Sequence, residues 1–248
     1  MSVQPVVPPA FEGLGARAVD GRRFLALAGL SAAAILVALW AAFSYAPTEA
    51  EMGHVQRIFY FHVPAAYTAF LAFAVVAVGG ALYLRTRNLW WDVLARSSAE
   101  IGVVFTTAAL VSGSLWAKPV WGAWWTWDPR LTTTALLWLL YASYLLLRSA
   151  VPEPHRQAAF GAVVGIVGFA DVPIVFMSIR WWRSLHPAVM NPGRLSISSE
   201  MLVALIIALA AFTLLYVCLL LLRAHVEESR RRLEEAKQAL GLYAWKGG

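Results

Sequence analysis

Six apolar runs, each long enough to cross a bilayer as a helix, dominate this chain of 248 residues: Phe24–Tyr45, Val63–Leu84, Ile101–Ala117, Leu131–Leu147, Ala158–Ile179 and Met201–Leu222. A hydrocarbon core of roughly 30 Å takes about 20 helical residues to span. Lipid offers no hydrogen-bond partner to a backbone, so each run must be helical, and the third and fourth are expected to extend a turn beyond these limits. Composition agrees: 60% of residues are hydrophobic and 14% charged, too few charges to clothe a soluble globule of this size. The first run is too long for a signal peptide, and no small-residue cleavage site follows Tyr45. The expected fold is an all-α integral membrane protein, a six-span transmembrane helix bundle with a Trp-rich outer loop.

In a soluble protein a net charge of +6 suggests nucleic acid, but here the basic residues sit mainly at the ends of apolar runs. Six of the 20 Lys and Arg, namely Arg57, Lys118, Arg130, Arg180, Arg183 and Arg194, fall on the side opposite the N-terminus, leaving 20 − 6 = 14 on the N-terminal side. The positive-inside rule then places both termini in the cytoplasm and Ala46–His62, Lys118–Arg130 and Arg180–Glu200 outside. Three regions follow: a disordered cytoplasmic N-terminus over 1–23, the membrane domain over 24–222, and a cytoplasmic helix and tail over 223–248. Glu227 and Glu228 stand four residues before Arg231 and Arg232, a spacing that suits a solvated helix continuing the sixth span. The single cysteine, Cys218, lies in an apolar run, which excludes an internal disulfide, a thiolate metal site and a C-x-x-C-H haem attachment. No G-x-x-x-x-G-K-[ST] is present, so any ATP chemistry must come from a partner.

Five of the twelve tryptophans, Trp116, Trp121, Trp124, Trp125 and Trp127, lie within one short stretch, GSLWAKPVWGAWWTWDPRLTT. An aromatic belt would scatter them over several helix ends. Trp121, Trp124 and Trp125 have the i, i+3, i+4 spacing of one helix face, so a short interfacial helix beside Gly122 would offer a broad aromatic surface to a large flat apolar ligand. Asp128 is placed to cap the fourth span, with Pro129 at its first position and Arg130 available to a ligand carboxylate.

Crossing parity puts His62 (FYFHVP) and His186 (RSLHPA) on the same outer side as the Trp-rich loop, each near a membrane edge. Two imidazoles approaching a flat macrocycle from opposite faces suit axial ligation of haem iron, with nearby Arg on the propionates. His54 shares that side but sits mid-loop, and His155 and His225 fall on the other. Asp171 is the one charge well inside a span, and Pro173 beside it frees backbone groups; it is expected to anchor the fifth helix or to accept a hydrogen bond from a polar residue such as Thr106 or Thr107.

The pattern WGxWWxWDxRLT, with outer FHVPAA and WWRSLHP, closely resembles the tryptophan-rich "WWD" signature of the haem-handling proteins of cytochrome c maturation, and the six-span length is similar to that of CcmC, the haem exporter protein C family. The resemblance covers nearly the whole chain between the second and sixth spans. It implies that Trp116, Trp121, Gly122, Trp124, Trp125, Trp127, Asp128 and Arg130 bind haem b, and that His62 and His186 are its axial iron ligands. It also implies a non-enzymatic subunit of the bacterial inner membrane that delivers haem to the periplasmic chaperone CcmE. The companions implied are an ABC-type complex of an ATPase, CcmA, a membrane subunit, CcmB, and a small single-span protein, CcmD. Two other classes compete from the residues alone. A secondary transporter would want polar groups near the midplane, and a haem-containing membrane oxidoreductase would want histidines inside its helices.

Overall fold

The computed structural model describes residues 21–186 and 197–239, with two short strands at 190–191 and 194–195. Most of the N-terminal region expected to be disordered and the end of the C-terminal tail lie outside the described residues. Seven helices follow in order: α1 Gly21–Trp40, closing in a π-helical turn at Ala41–Tyr45; α2 Phe59–Thr86, entered through a 3₁₀ turn at His54–Ile58; α3 Leu89–Trp121; α4 Pro129–Ser149; α5 Pro154–Phe169; α6 Asp171–Trp181; and α7 Ser199–Ala239. Between α6 and α7, β1 Met190–Asn191 pairs antiparallel with β2 Arg194–Leu195. With α5 and α6 counted as one interrupted span, six segments are long and apolar enough to cross a membrane.

α3 is 33 residues long and begins three turns before the expected start of the third span. That extra length carries Asp92, Arg96 and Glu100, which made it look like loop in the sequence but are neutralised in pairs. Asp92 accepts both guanidinium nitrogens of buried Arg148 on α4 at 2.6 Å each, and Arg96 and Glu100 meet Glu227 and Arg223 of α7. α7 continues beyond the apolar run as one helix to Ala239, and one of the two expected i, i+4 pairs forms, Glu228 with Arg232. Glu228 takes both Arg231 and Arg232, whereas Glu227 turns back to Arg223 and across to Arg96. Both glutamates are therefore buried, and the proximal part of this extension is packed on α3 instead of being solvated all round.

α2 is the hub of the bundle. Its face carries Phe73, stacked on Tyr141 of α4 with centroids 3.6 Å apart. α5 lies tightly on it because glycines stand at the crossings: a Cβ on Gly80 would come within 3.1 Å of Ala162, and one on Gly165 within 2.7 Å of Val76. The fifth span then breaks at Ala170. Pro173 has no N–H to continue the ladder, and the helix restarts at Asp171. Beyond the break, α6 packs on α4 and leaves α2. Asp171 is buried and its Oδ2 has no hydrogen-bond partner; Thr106 and Thr107, the neighbours expected to donate to it, bond the carbonyls of Gly102 and Val103 in their own helix.

Candidate functional site

The departure of α6 from α2 leaves a cavity of about 580 Å³ at the end of the bundle that carries the Trp-rich segment, a volume within the roughly 300–1,000 Å³ typical of ligand sites. His62, Trp116, Trp121, Trp125, Arg130 and His186 all line it. These residues come from α2, α3, the α3–α4 loop, the start of α4 and the segment after α6, so five separate stretches of chain converge on one space.

His62 sits in the first turn of α2 rather than in the preceding loop. Its Nδ1 lies 3.1 Å from the carbonyl of Ala109 and 3.2 Å from Ser112 Oγ, both on α3. A carbonyl can only accept, so this contact assigns the proton to Nδ1 and leaves Nε2 with its lone pair available. That is the arrangement by which a metal-binding imidazole is held and its basicity raised. Gly113 lets α3 approach the ring, since a Cβ there would meet His62 Cε1 at 3.0 Å.

The His186 ring faces that of His62 with centroids 6.2 Å apart and planes inclined by 35°. Imidazole nitrogens sit about 2 Å from a transition metal they bind, so two rings on opposite sides of one metal have centroids about 6 Å apart. Trp116 stands edge-on to His62 at 5.9 Å and Trp121 edge-on to His186 at 6.5 Å, so each imidazole has its own indole wall. The indole N–H of Trp116 is buried with no acceptor.

His186 owes its place to Asp128. The Asp128 carboxylate caps α4 by accepting the N–H of Arg130 at 2.9 Å, with Pro129 at the first helical position as expected. It also accepts Ser184 Oγ at 3.0 Å and the N–H of Leu185 at 2.7 Å, while Ser184 Oγ accepts the N–H of His186 at 3.0 Å. The buried carboxylate thus fastens the segment before the histidine to the start of α4.

The electrostatics are one-sided. The cavity is lined by two guanidinium groups, Arg130 and Arg180, against a single carboxylate, Glu51. Arg130 lies close enough to Arg180 to feel its like charge. Arg180 was legible in the sequence only as an outer-loop cation; its direction into the cavity follows from the break before α6, which no local pattern announced.

The Trp-rich segment itself departs from the expected interfacial helix. α3 runs on through Pro119 to Trp121 and stops at Gly122, whose φ of 76° is open to glycine at little cost. Residues beyond it form an irregular loop, so Trp121, Trp124 and Trp125 share no single helical face. Trp121 and Trp125 line the cavity, whereas Trp124 and Trp127 are 56% and 83% exposed and do not. Lys118 reaches over the Trp124 ring and donates to the carbonyl of Gly122 at 3.0 Å, tying the loop back to α3.

Residues 15–239 match the family model described as "Heme exporter protein C". The chain belongs to the haem exporter protein C family. It is 37% identical over 220 residues to "Heme exporter protein C" of Bradyrhizobium diazoefficiens, covering 85% of this chain and 84% of that one. The protein of the same name from Escherichia coli K12 is 32% identical over 193 residues, 73% of this chain and 79% of that one. A "Putative cytochrome c biosynthesis ccmC-like mitochondrial protein" of Marchantia polymorpha is 32% identical over 184 residues, 74% and 76% of the two chains. Every lining residue named above falls inside the span matched to the haem exporter protein C family.

Proposed function

We propose that this protein binds haem b at the periplasmic face of the bacterial inner membrane, with His62 and His186 as axial ligands. It then passes the haem to the periplasmic chaperone CcmE during cytochrome c maturation, working with CcmA, CcmB and CcmD, and any ATP hydrolysis belongs to the ATPase. The observation that carries the reading is the facing imidazole pair at 6.2 Å, each ring backed by an indole, at the mouth of a largely apolar cavity. The Nδ1 contact of His62 to the Ala109 carbonyl supports ligation through its other nitrogen. Arg130 and Arg180 supply positive charge for two propionates at the same cavity. Charged and aromatic groups gather at one end instead of mid-bundle, which favours this reading over a small-solute transporter.

The test is a pyridine haemochrome assay on the purified protein, together with covalent haem transfer to the chaperone. Wild type is expected to yield a haem b spectrum and to support transfer. Replacing both histidines by Gly is expected to abolish low-spin haem and transfer together. Wild-type protein without haem, or a double variant with an unchanged spectrum, would refute the assignment.

A further inference from the structure

The cavity is not closed toward the membrane. α5 seals against α2 through Gly80 and Gly165, but after the break at Ala170 helix α6 follows α4, and the two walls of the cavity part. Tyr67 of α2 and Phe176 of α6 both line the cavity and are 41% and 46% exposed. Both lie in helices long and apolar enough to cross a membrane. They therefore flank a lateral slot between α2 and α6.

The polarity of the slot runs with depth. Arg130 and Arg180 stand at the helix ends beside the Trp-rich loop, whereas Phe176, Val175 and Phe70 lie further along α6 and α2 from those ends. A lipid monolayer has the same gradient, charge at the headgroups and hydrocarbon beneath. A flat amphipathic ligand with two carboxylates on one edge would lie in that monolayer with the carboxylates at headgroup level and its apolar edge down. Sliding sideways through the slot would bring it to the histidine pair without turning over and without exposing its apolar edge to water.

We propose that haem enters this site laterally, from the outer half of the bilayer, through the slot between α2 and α6, with Tyr67 and Phe176 as its two sides. This rests on the haem reading above. The interrupted fifth span acquires a purpose in consequence: it opens the wall that an unbroken helix lying along α2 would close.

The test uses the full chain with Cys218→Ser, reconstituted in phosphatidylcholine nanodiscs. Tyr67→Cys, Phe176→Cys or, as a control, Val104→Cys is added, the last on a lipid-facing position of α3 that does not line the cavity. Each thiol is capped in detergent with a bulky maleimide before reconstitution, and uptake of bilayer-dissolved hemin is followed by its Soret band. Adducts at 67 and 176 are expected to slow uptake by about tenfold or more relative to the adduct at 104. Uptake at the control rate would overturn the route. If the bulky adducts prevent the final spectrum from forming at all, Tyr67→Ala and Phe176→Ala, which widen the slot, decide instead: faster uptake supports lateral entry, and an unchanged rate overturns it. Failure of the adduct-free protein to take up haem would refute the haem reading, a result distinguishable from failure of the route alone.

Discussion

The carboxylate of Asp128 accepts the backbone N–H of Leu185, 57 residues further along the chain, at 2.7 Å. Through this bond and its bond to Ser184, the residue that ends the Trp-rich motif sets the position of the segment leading into His186. Helix cap and anchor of the segment before His186 are one function of one side chain.

That relationship predicts the same loss from two substitutions at position 128. Asn caps a helix as well as Asp, but its single oxygen can serve Arg130 and Ser184 while its NH₂ would confront the Leu185 N–H. One partly buried donor then loses its partner, at a cost of about 1 kcal/mol. Asp128→Asn is expected to express at normal levels and to bind haem several-fold more weakly, with the low-spin fraction reduced. Asp128→Ser, which keeps the cap and loses the reach to Leu185, should do the same. Titration of both purified variants with hemin checks this; wild-type affinity in both would reduce Asp128 to a helix cap.

A second prediction concerns Gly113, whose missing Cβ leaves room for the His62 ring. Gly113→Ala should push the imidazole by a few tenths of an ångström and lengthen its bond to the Ala109 carbonyl. Helix propensity favours Ala over Gly by about 1 kcal/mol, so thermal stability should hold or rise while haem affinity falls. Loss of stability together with haem would show that the glycine serves packing alone.

What the sequence disclosed follows from where its signals are local. The spans, the α4 cap at Asp128 with Pro129, and the grouping of His62 and His186 with Trp116, Trp121 and Trp125 at one end of the bundle were all readable from apolarity, parity and short motifs. α3 looked shorter than it is because Asp92, Arg96 and Glu100 find their partners 56 to 131 residues away. The helix expected through Trp121, Trp124 and Trp125 fails at Gly122, where capping outweighs amphipathic spacing. The inward aim of Arg180 depends on a helix break whose direction is set by packing on α4.

The buried pair of Asp92 and Arg148 makes a third prediction, about stability at the end remote from the cavity. Removing one partner strands the other in the bundle, which in proteins of this kind costs about 3–5 kcal/mol. Asp92→Leu or Arg148→Met should lower the thermal midpoint strongly. The double variant should recover much of the loss, because neither charge is then buried alone. Losses that simply add in the double variant would show that the two residues are not coupled.

The orientation of the chain makes a fourth. In a Cys218→Ser background, a cysteine at exposed Trp127 is expected to react in intact cells with a membrane-impermeant maleimide, and one at exposed Arg156 only after lysis. The reverse pattern would turn the protein over and end the periplasmic assignment.

The last prediction separates the two proposed iron ligands from the two classes of tryptophan that the structure distinguishes. Replacing His62 or His186 by Gly removes one imidazole and leaves a gap of its own shape between the indole walls. Added imidazole should fill that gap and restore part of the haem content and of the low-spin spectrum. Trp116→Ala and Trp121→Ala remove the walls themselves, edge-on to His62 and His186. Imidazole cannot supply that contact, so these variants should lose haem without rescue. Trp124 and Trp127 do not line the cavity and are largely exposed. Their Ala variants should keep the wild-type spectrum but transfer haem to the chaperone more slowly, because exposed indoles beside a loaded site are the kind of surface that a partner covers. His54→Gly, with its residue outside the cavity lining, should match wild type in both measurements. If Trp127→Ala loses the low-spin spectrum while Trp121→Ala keeps it, haem lies on the exposed loop and not between the two histidines.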